Sequence, residues 1–189
     1  MALRTFIALD LDADLRKRVG AIAAAFDSCD AKVRWTDPLQ LHVTLSFLGD
    51  VQDNMMAQVC STVVEVSSRS EPFEFEVRGV EPVPPEGRQL RMFWVGIAEP
   101  TGRLATLHDA LAEALADLGY RPEARRFRPH ITLARVRYVR DAQALRDRMA
   151  VCRDERFGRQ LAGEVITYTS MLTSAGPVHT PAARAPLGG

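Results

Sequence analysis

An α+β fold, with helices packed outside curved antiparallel sheets, is the class this sequence predicts. Segments with the two-residue period of a strand alternate with segments of helical period, in the order strand-helix-strand-helix-strand-strand-helix-strand-helix-strand. The tetrapeptides His42-Val43-Thr44-Leu45 and His130-Ile131-Thr132-Leu133 open apolar, β-branched runs in separate halves of the chain. If the halves are related by an approximate two-fold, those strands lie side by side and aim both imidazoles into one cleft. With 189 residues, 47% of them apolar, the chain suits one core and a single two-lobed domain over 1–189.

Arg4 to Leu11 reads as the first strand, and Asp12 to Phe26 as a helix with Leu15, Val19, Ile22 and Phe26 on one stripe. A loop containing Trp35-Thr36-Asp37-Pro38 leads to the strand Leu41 to Leu48, which Gly49-Asp50 ends. Asn54 to Ser67 reads as a helix, Phe73, Phe75 and Val77 alternate as a strand, and a Pro-rich turn from Glu81 to Gly87 precedes the strand Met92 to Ile97. Arg103 to Leu118 is the clearest helix and stops at Gly119. A basic loop then enters the second motif strand, followed by a helix over Asp141 to Val151 and a strand over Glu164 to Thr173. A tail rich in Pro and Gly follows Gly176 and is expected to be flexible from about residue 181.

Lys plus Arg equals Asp plus Glu, so the formal net charge is zero, and the chain lacks the global field of a non-specific nucleic-acid binder; recognition of any anionic partner must come from local patches. Cys29, Cys60 and Cys152 are scattered, with no zinc-type spacing, and are expected to be reduced. No secretory leader pattern opens the chain and no run approaches the roughly 18 apolar residues of a membrane span. A cytoplasmic protein with no membrane attachment is expected, as a monomer.

Side chains alternate across a strand, so the His and Thr of each motif share one face while Val43 and Leu45, or Ile131 and Leu133, take the other. Imidazole titrates near 6.5, so of two neighbours one can accept a proton while the other gives one. That division suits hydrolysis of a phosphodiester: a base takes the proton of water, an acid protonates the departing oxygen, and hydroxyls donate to the non-bridging oxygens.

With these motifs the chain resembles the two-histidine phosphoesterase superfamily, and within it the RNA 2′,3′-cyclic phosphodiesterases, also called 2′-5′ RNA ligases or LigT-like proteins. The resemblance includes the opening Arg4-Thr5-Phe6-Ile7-Ala8-Leu9-Asp10-Leu11, the segments Leu41 to Gly49 and Phe127 to Arg135, and the closing Ser170 and Gly176-Pro177-Val178. It implies two similar α/β lobes around a central cleft. It also implies hydrolysis of RNA 2′,3′-cyclic phosphate ends, tRNA ends among them, to 2′-phosphates without metal or cofactor. His130 is then the general base and His42 the general acid, labels that can be exchanged, and Thr44 and Thr132 hold the phosphate. Related alternatives are 2′-5′ RNA ligation, 2′-5′ phosphodiesterase action and hydrolysis of a cyclic ADP-ribose phosphate. A non-catalytic RNA-end binder is the alternative of another class. A two-histidine metal site is a further one, disfavoured by the absence of a third ligand at recognisable spacing.

Further candidates for substrate contact are Arg128, Arg135, Trp35 and His179. Arg121, Arg125, Arg126 and Arg128 form a basic cluster entering the second motif, where a forked guanidinium suits phosphate. Arg135 shares the face of His130 only if a β-bulge intervenes. Trp35 is a candidate for the cleft edge, whereas Phe6 and Phe47 are expected to pack in the core. His108 reads as a solvated or packing residue within its helix. The family commonly carries Tyr near the position of His179, which lies in the tail.

Overall fold

The computed structural model describes residues 2–86, 89–121, 126–174 and 176–188. Its strands are β1 (Ala2–Asp10), β2 (Ala31–Trp35), β3 (His42–Gln52), β4 (Phe73–Val83), β5 (Met92–Ala98), β6 (His130–Val139), β7 (Arg156–Ala162), β8 (Glu164–Leu172) and β9 (Pro177–Pro186). Among the described residues four α-helices, α1 (Ala13–Ala21), α2 (Asp53–Ser68), α3 (Arg103–Ala116) and α4 (Ala142–Val151), lie between them in the chain. The architecture is α+β, as expected. The sheet is antiparallel, in the order β7-β4-β5-β6-β3-β1-β8-β9, with β2 also paired to β6.

Helix positions follow the apolar stripes. On α3, Leu104, Leu107, Leu111 and Leu115 are all buried, at the three- and four-residue spacing that puts them on one face. In β4, Phe73, Phe75 and Val77 turn inward while Glu74 turns out. The expected helix over 12–26 is shorter, because α1 ends at Ala21 and tightens into a 3-10 turn over Ile22–Phe26 that still buries Phe26.

Three strands depart from the sequence reading. β2 falls where the pattern predicts a loop; its five residues are too few for a period to show, and β6 supplies its pairing. β7 lies at the opposite edge of the sheet, paired to β4. The tail expected to be flexible from about 181 is instead the outer half of β9, in register with β8 as far as Pro186↔Glu164. Prolines 177, 181 and 186 signal a coil, yet an edge strand has one side without ladder bonds and accommodates them there.

The two motif strands meet at the centre. β3 and β6 share the register pair Val43↔Ile131, and both side chains are fully buried. On either side stand corresponding sets, β1 and β8 beyond β3, and β5 and β4 beyond β6. Among the described residues no helix is long and apolar enough to cross a membrane.

Candidate active site

The pairing of Val43 with Ile131 sets the site. One step along antiparallel strands, His42 stands across from Thr132 and Thr44 across from His130, all four on the face opposite the buried Val43 and Ile131. Each imidazole is thus set against the hydroxyl of the other motif.

Both rings are held in the same way. His42 Nδ1 lies 2.7 Å from the Gln40 carbonyl oxygen, and His130 Nδ1 lies 2.7 Å from that of Arg128. A carbonyl only accepts, so each Nδ1 carries the hydrogen and Nε2 is the nitrogen that titrates.

Their aromatic supports differ. His130 stacks on Trp94 at 3.6 Å, and the Arg128 guanidinium lies 5.9 Å from the centre of the Trp94 ring while its Nη2 pairs with Glu81 at 2.8 Å. His42 stacks on Phe6 at 4.9 Å, and Phe6 in turn on Tyr168 at 5.2 Å. Behind them Tyr168 donates to Asp10 at 2.8 Å, and Asp10 pairs with Arg16 at 2.9 Å. Burial, then the bond to Asp10, pushes the Tyr168 phenol well above its ordinary range, so it stays a donor. Burial lowers the His42 pKa, aided by the neighbouring His179, against the opposing effects of the Gln40 carbonyl and Asp10. His179 is lowered by burial too; its ring stands edge-on to His42 at 5.6 Å and to Phe6 at 4.8 Å.

The cleft has two compartments. One, of about 890 Å³, lies beside His130 and is bordered by Trp94, Phe127 and Arg128. The other, of about 780 Å³, lies beside His42 and is bordered by Phe6, Gln40 and His179. Thr44, Phe47, Thr132 and Arg135 border both.

A bulge in each motif strand explains the last two. Along β1, Ile7 pairs with Ser46 but Ala8 with Thr44, which leaves Leu45 as an extra residue; along β5, Phe93 pairs with Ala134 but Trp94 with Thr132, which leaves Leu133 extra. An extra residue flips the alternation, so Arg135 turns to the histidine face. The same shift exposes Phe47, which is 53% accessible and not a core residue as the sequence suggested.

Trp35 is the opposite correction. It sits on β2 with its ring against Phe26 and Phe93, at 5.6 and 5.5 Å, and packs on the core rather than at the cleft edge. His179 reaches the cleft because β9 is a strand. Of the basic cluster, Arg126 and Arg128 border the His130 compartment, Arg121 is exposed away from it, and Arg125 lies outside the described residues. His108 stacks on Phe127 at 3.9 Å and helps wall the same compartment. Among the described residues no three His, Cys, Asp or Glu side chains gather as a metal site.

Residues 11–162 match the model of the 2′-5′ RNA ligase superfamily. Over 180 residues the chain is 34% identical to an RNA 2′,3′-cyclic phosphodiesterase of Methanothermobacter thermautotrophicus, covering 95% of this chain and 96% of that one. An RNA 2′,3′-cyclic phosphodiesterase of Aquifex aeolicus is 30% identical over 82% of each chain. In fold, the chain is similar to a Thermus thermophilus protein, with a TM-score of 0.84 at 23% identity over 99% of each chain. It is also similar to E. coli LigT complexed with 3′-AMP, with a TM-score of 0.80 at 24% identity over 100% of each chain.

Proposed function

The chain belongs to the 2′-5′ RNA ligase superfamily, and from this premise we propose that it hydrolyses RNA 2′,3′-cyclic phosphate ends to 2′-phosphates by acid–base catalysis between His42 and His130. Relatives named RNA 2′,3′-cyclic phosphodiesterase support the substrate class. The observation that carries the mechanism is the Val43↔Ile131 pair, which sets two Nδ1-anchored imidazoles against two threonines.

In this reading the cyclic phosphate rests on the hydroxyls of Thr44 and Thr132, which donate to its non-bridging oxygens. His130 Nε2 accepts a proton from water as the water oxygen bonds to phosphorus. The bond from phosphorus to the 3′ oxygen breaks, and His42 Nε2 gives that oxygen its proton. Acid and base each contribute about 10² to 10⁴ in rate. The imidazole does the work that would otherwise call for a metal-bound hydroxide, so neither metal nor cofactor is needed.

One observation favours a second reading in which the two roles are exchanged. Burial biases His42 toward the neutral form in the free protein, which suits a base; the negative charge of a bound phosphodiester favours the protonated form and suits an acid.

The decisive experiment incubates the protein with an oligoribonucleotide ending in a 2′,3′-cyclic phosphate, in the presence of a chelator, and identifies the product. A 2′-phosphate is expected. A 3′-phosphate would overturn the regiochemistry, binding without turnover would favour an RNA-end binder, and activity restored only by added divalent cation would overturn the metal-free mechanism. Joining of two RNA ends through a 2′-5′ linkage would favour the ligase alternative.

A further inference from the structure

The compartment beside His42 is strongly basic. Net charge over the whole sequence is zero, yet Arg4, Arg34, Arg135 and Arg137 all border this one space, where Asp50 is the carboxylate among the described lining residues. Asp50 is the register partner of Arg4 across β1 and β3. Arg34 of β2 is the register partner of Arg135 of β6, and Arg137 follows Arg135 two positions along the same strand. Like charges set directly opposite on neighbouring strands destabilise a sheet. The turn between β8 and β9 also makes room for one of them: Gly176 has a φ of 138°, and a Cβ there would collide with the Arg34 Nη2.

These guanidinium groups begin where the proposed phosphate position ends, since Thr44 and Thr132 border the same compartment. In an RNA strand the ribose that bears the cyclic end carries the next phosphodiester at its 5′ oxygen. The ribose also holds the 3′ leaving oxygen, which the proposed mechanism directs to His42, the histidine of this compartment. The compartment beside His130 has arginines of its own, Arg126, Arg128 and Arg153, but Arg128 pairs there with Glu81, and Trp94, Phe127 and three prolines make its wall the more apolar of the two.

We propose that the compartment beside His42 binds the backbone phosphates leading up to the cyclic end, with Arg34 and Arg137 as residues that select an RNA strand over a mononucleotide. This inference rests on the function proposed above and adds a length preference to it. Arginine forks suit phosphate oxygens in paired hydrogen bonds, and neutralising successive phosphates releases counterions.

The test compares a nucleoside 2′,3′-cyclic phosphate with di-, tri- and tetranucleotides bearing the same terminal nucleotide. In the wild type kcat/KM should rise at least about ten-fold from the mononucleotide to the trinucleotide, and the gain should shrink as salt is raised. Arg34→Gln with Arg137→Gln should bring the ratio of oligonucleotide to mononucleotide efficiency close to one, and Arg137→Lys should retain part of the gain. Circular dichroism checks the fold of each variant, and Arg137→Gln alone provides a second reading free of the packing around Gly176. Efficiency independent of length, or a gain that survives both glutamines, would overturn the proposal. Fluorescence anisotropy with oligonucleotides ending in a 3′-phosphate measures the same length dependence without turnover. If no substrate is hydrolysed, that binding series still decides this inference while the proposed reaction fails on its own.

Discussion

Phe47 and Arg135 occupy corresponding places in the two motif strands, each five residues after its histidine, each just beyond a bulge at a leucine, and both bordering the two compartments of the cleft. One position presents an aromatic face and the other a cation. A flat, π-rich group such as a nucleobase can rest on either surface.

Phe47→Ala should therefore weaken substrate binding and leave stability nearly unchanged. Base-aromatic stacking is worth about 1 to 3 kcal/mol, so KM for a cyclic nucleotide should rise about five- to hundred-fold. Trp35→Ala should do the reverse, costing on the order of 3 kcal/mol in urea unfolding through lost contacts with Phe26 and Phe93. A large kinetic effect in a stably folded Trp35 variant would return that residue to the site.

Alanine at His42 or His130 should lower turnover of an RNA cyclic phosphate by at least about 10². The roles can be separated with a nucleoside phosphodiester whose leaving group is nitrophenolate, which departs without protonation. The variant lacking the acid should recover much of its activity on that ester, whereas the variant lacking the base should not. Recovery in His130→Ala rather than His42→Ala would assign the roles in the exchanged sense.

Thr44→Val and Thr132→Val keep the β-branched shape and remove a donor to an anionic phosphate, a bond worth about 1.5 to 3 kcal/mol. Each should reduce kcat/KM by about 10 to 10². Unchanged efficiency in both variants would remove the threonines from the phosphate site.

Two lowered imidazoles have a signature in stability. Burial holds the folded pKa of His42 and of His179 below 6.5, so the unfolded chain binds those protons more tightly. Their contribution makes the unfolding free energy increase with pH from the lowered folded values up to about 6.5 and level off above it. In denaturant titrations from about pH 5 to about pH 8, the variant with Gln at both positions should lose part of this slope. An identical slope would show that the two rings titrate alike in the folded and unfolded chains.

Much of this arrangement was legible in the sequence because it follows from local period. The repeated His-x-Thr marks a shared face, and the leucines of α3 mark a helix. Phe47 was within reach as well, since the bulge invoked to turn Arg135 into the cleft, applied to the first motif, turns Phe47 the same way. Trp94 was not, because its place beneath His130 depends on the register between β5 and β6, which no local pattern encodes. Trp35 misled for a related reason: a polar flank suggested an exposed ring, and the partners that bury it, Phe26 and Phe93, come from distant segments.

The pair Val43↔Ile131 also bears on how the chain acquires its activity. It joins residues from opposite halves of the sequence, and β1 and β8, which flank β3 in turn, come from near its two ends. Such distant partners are slow to find one another, because the entropy of closing long loops is lost before their contacts form. No fragment that ends before β6 contains both imidazoles. During refolding, catalysis should therefore return only with the assembled sheet, later than any helical signal, which makes turnover a reporter of the completed fold.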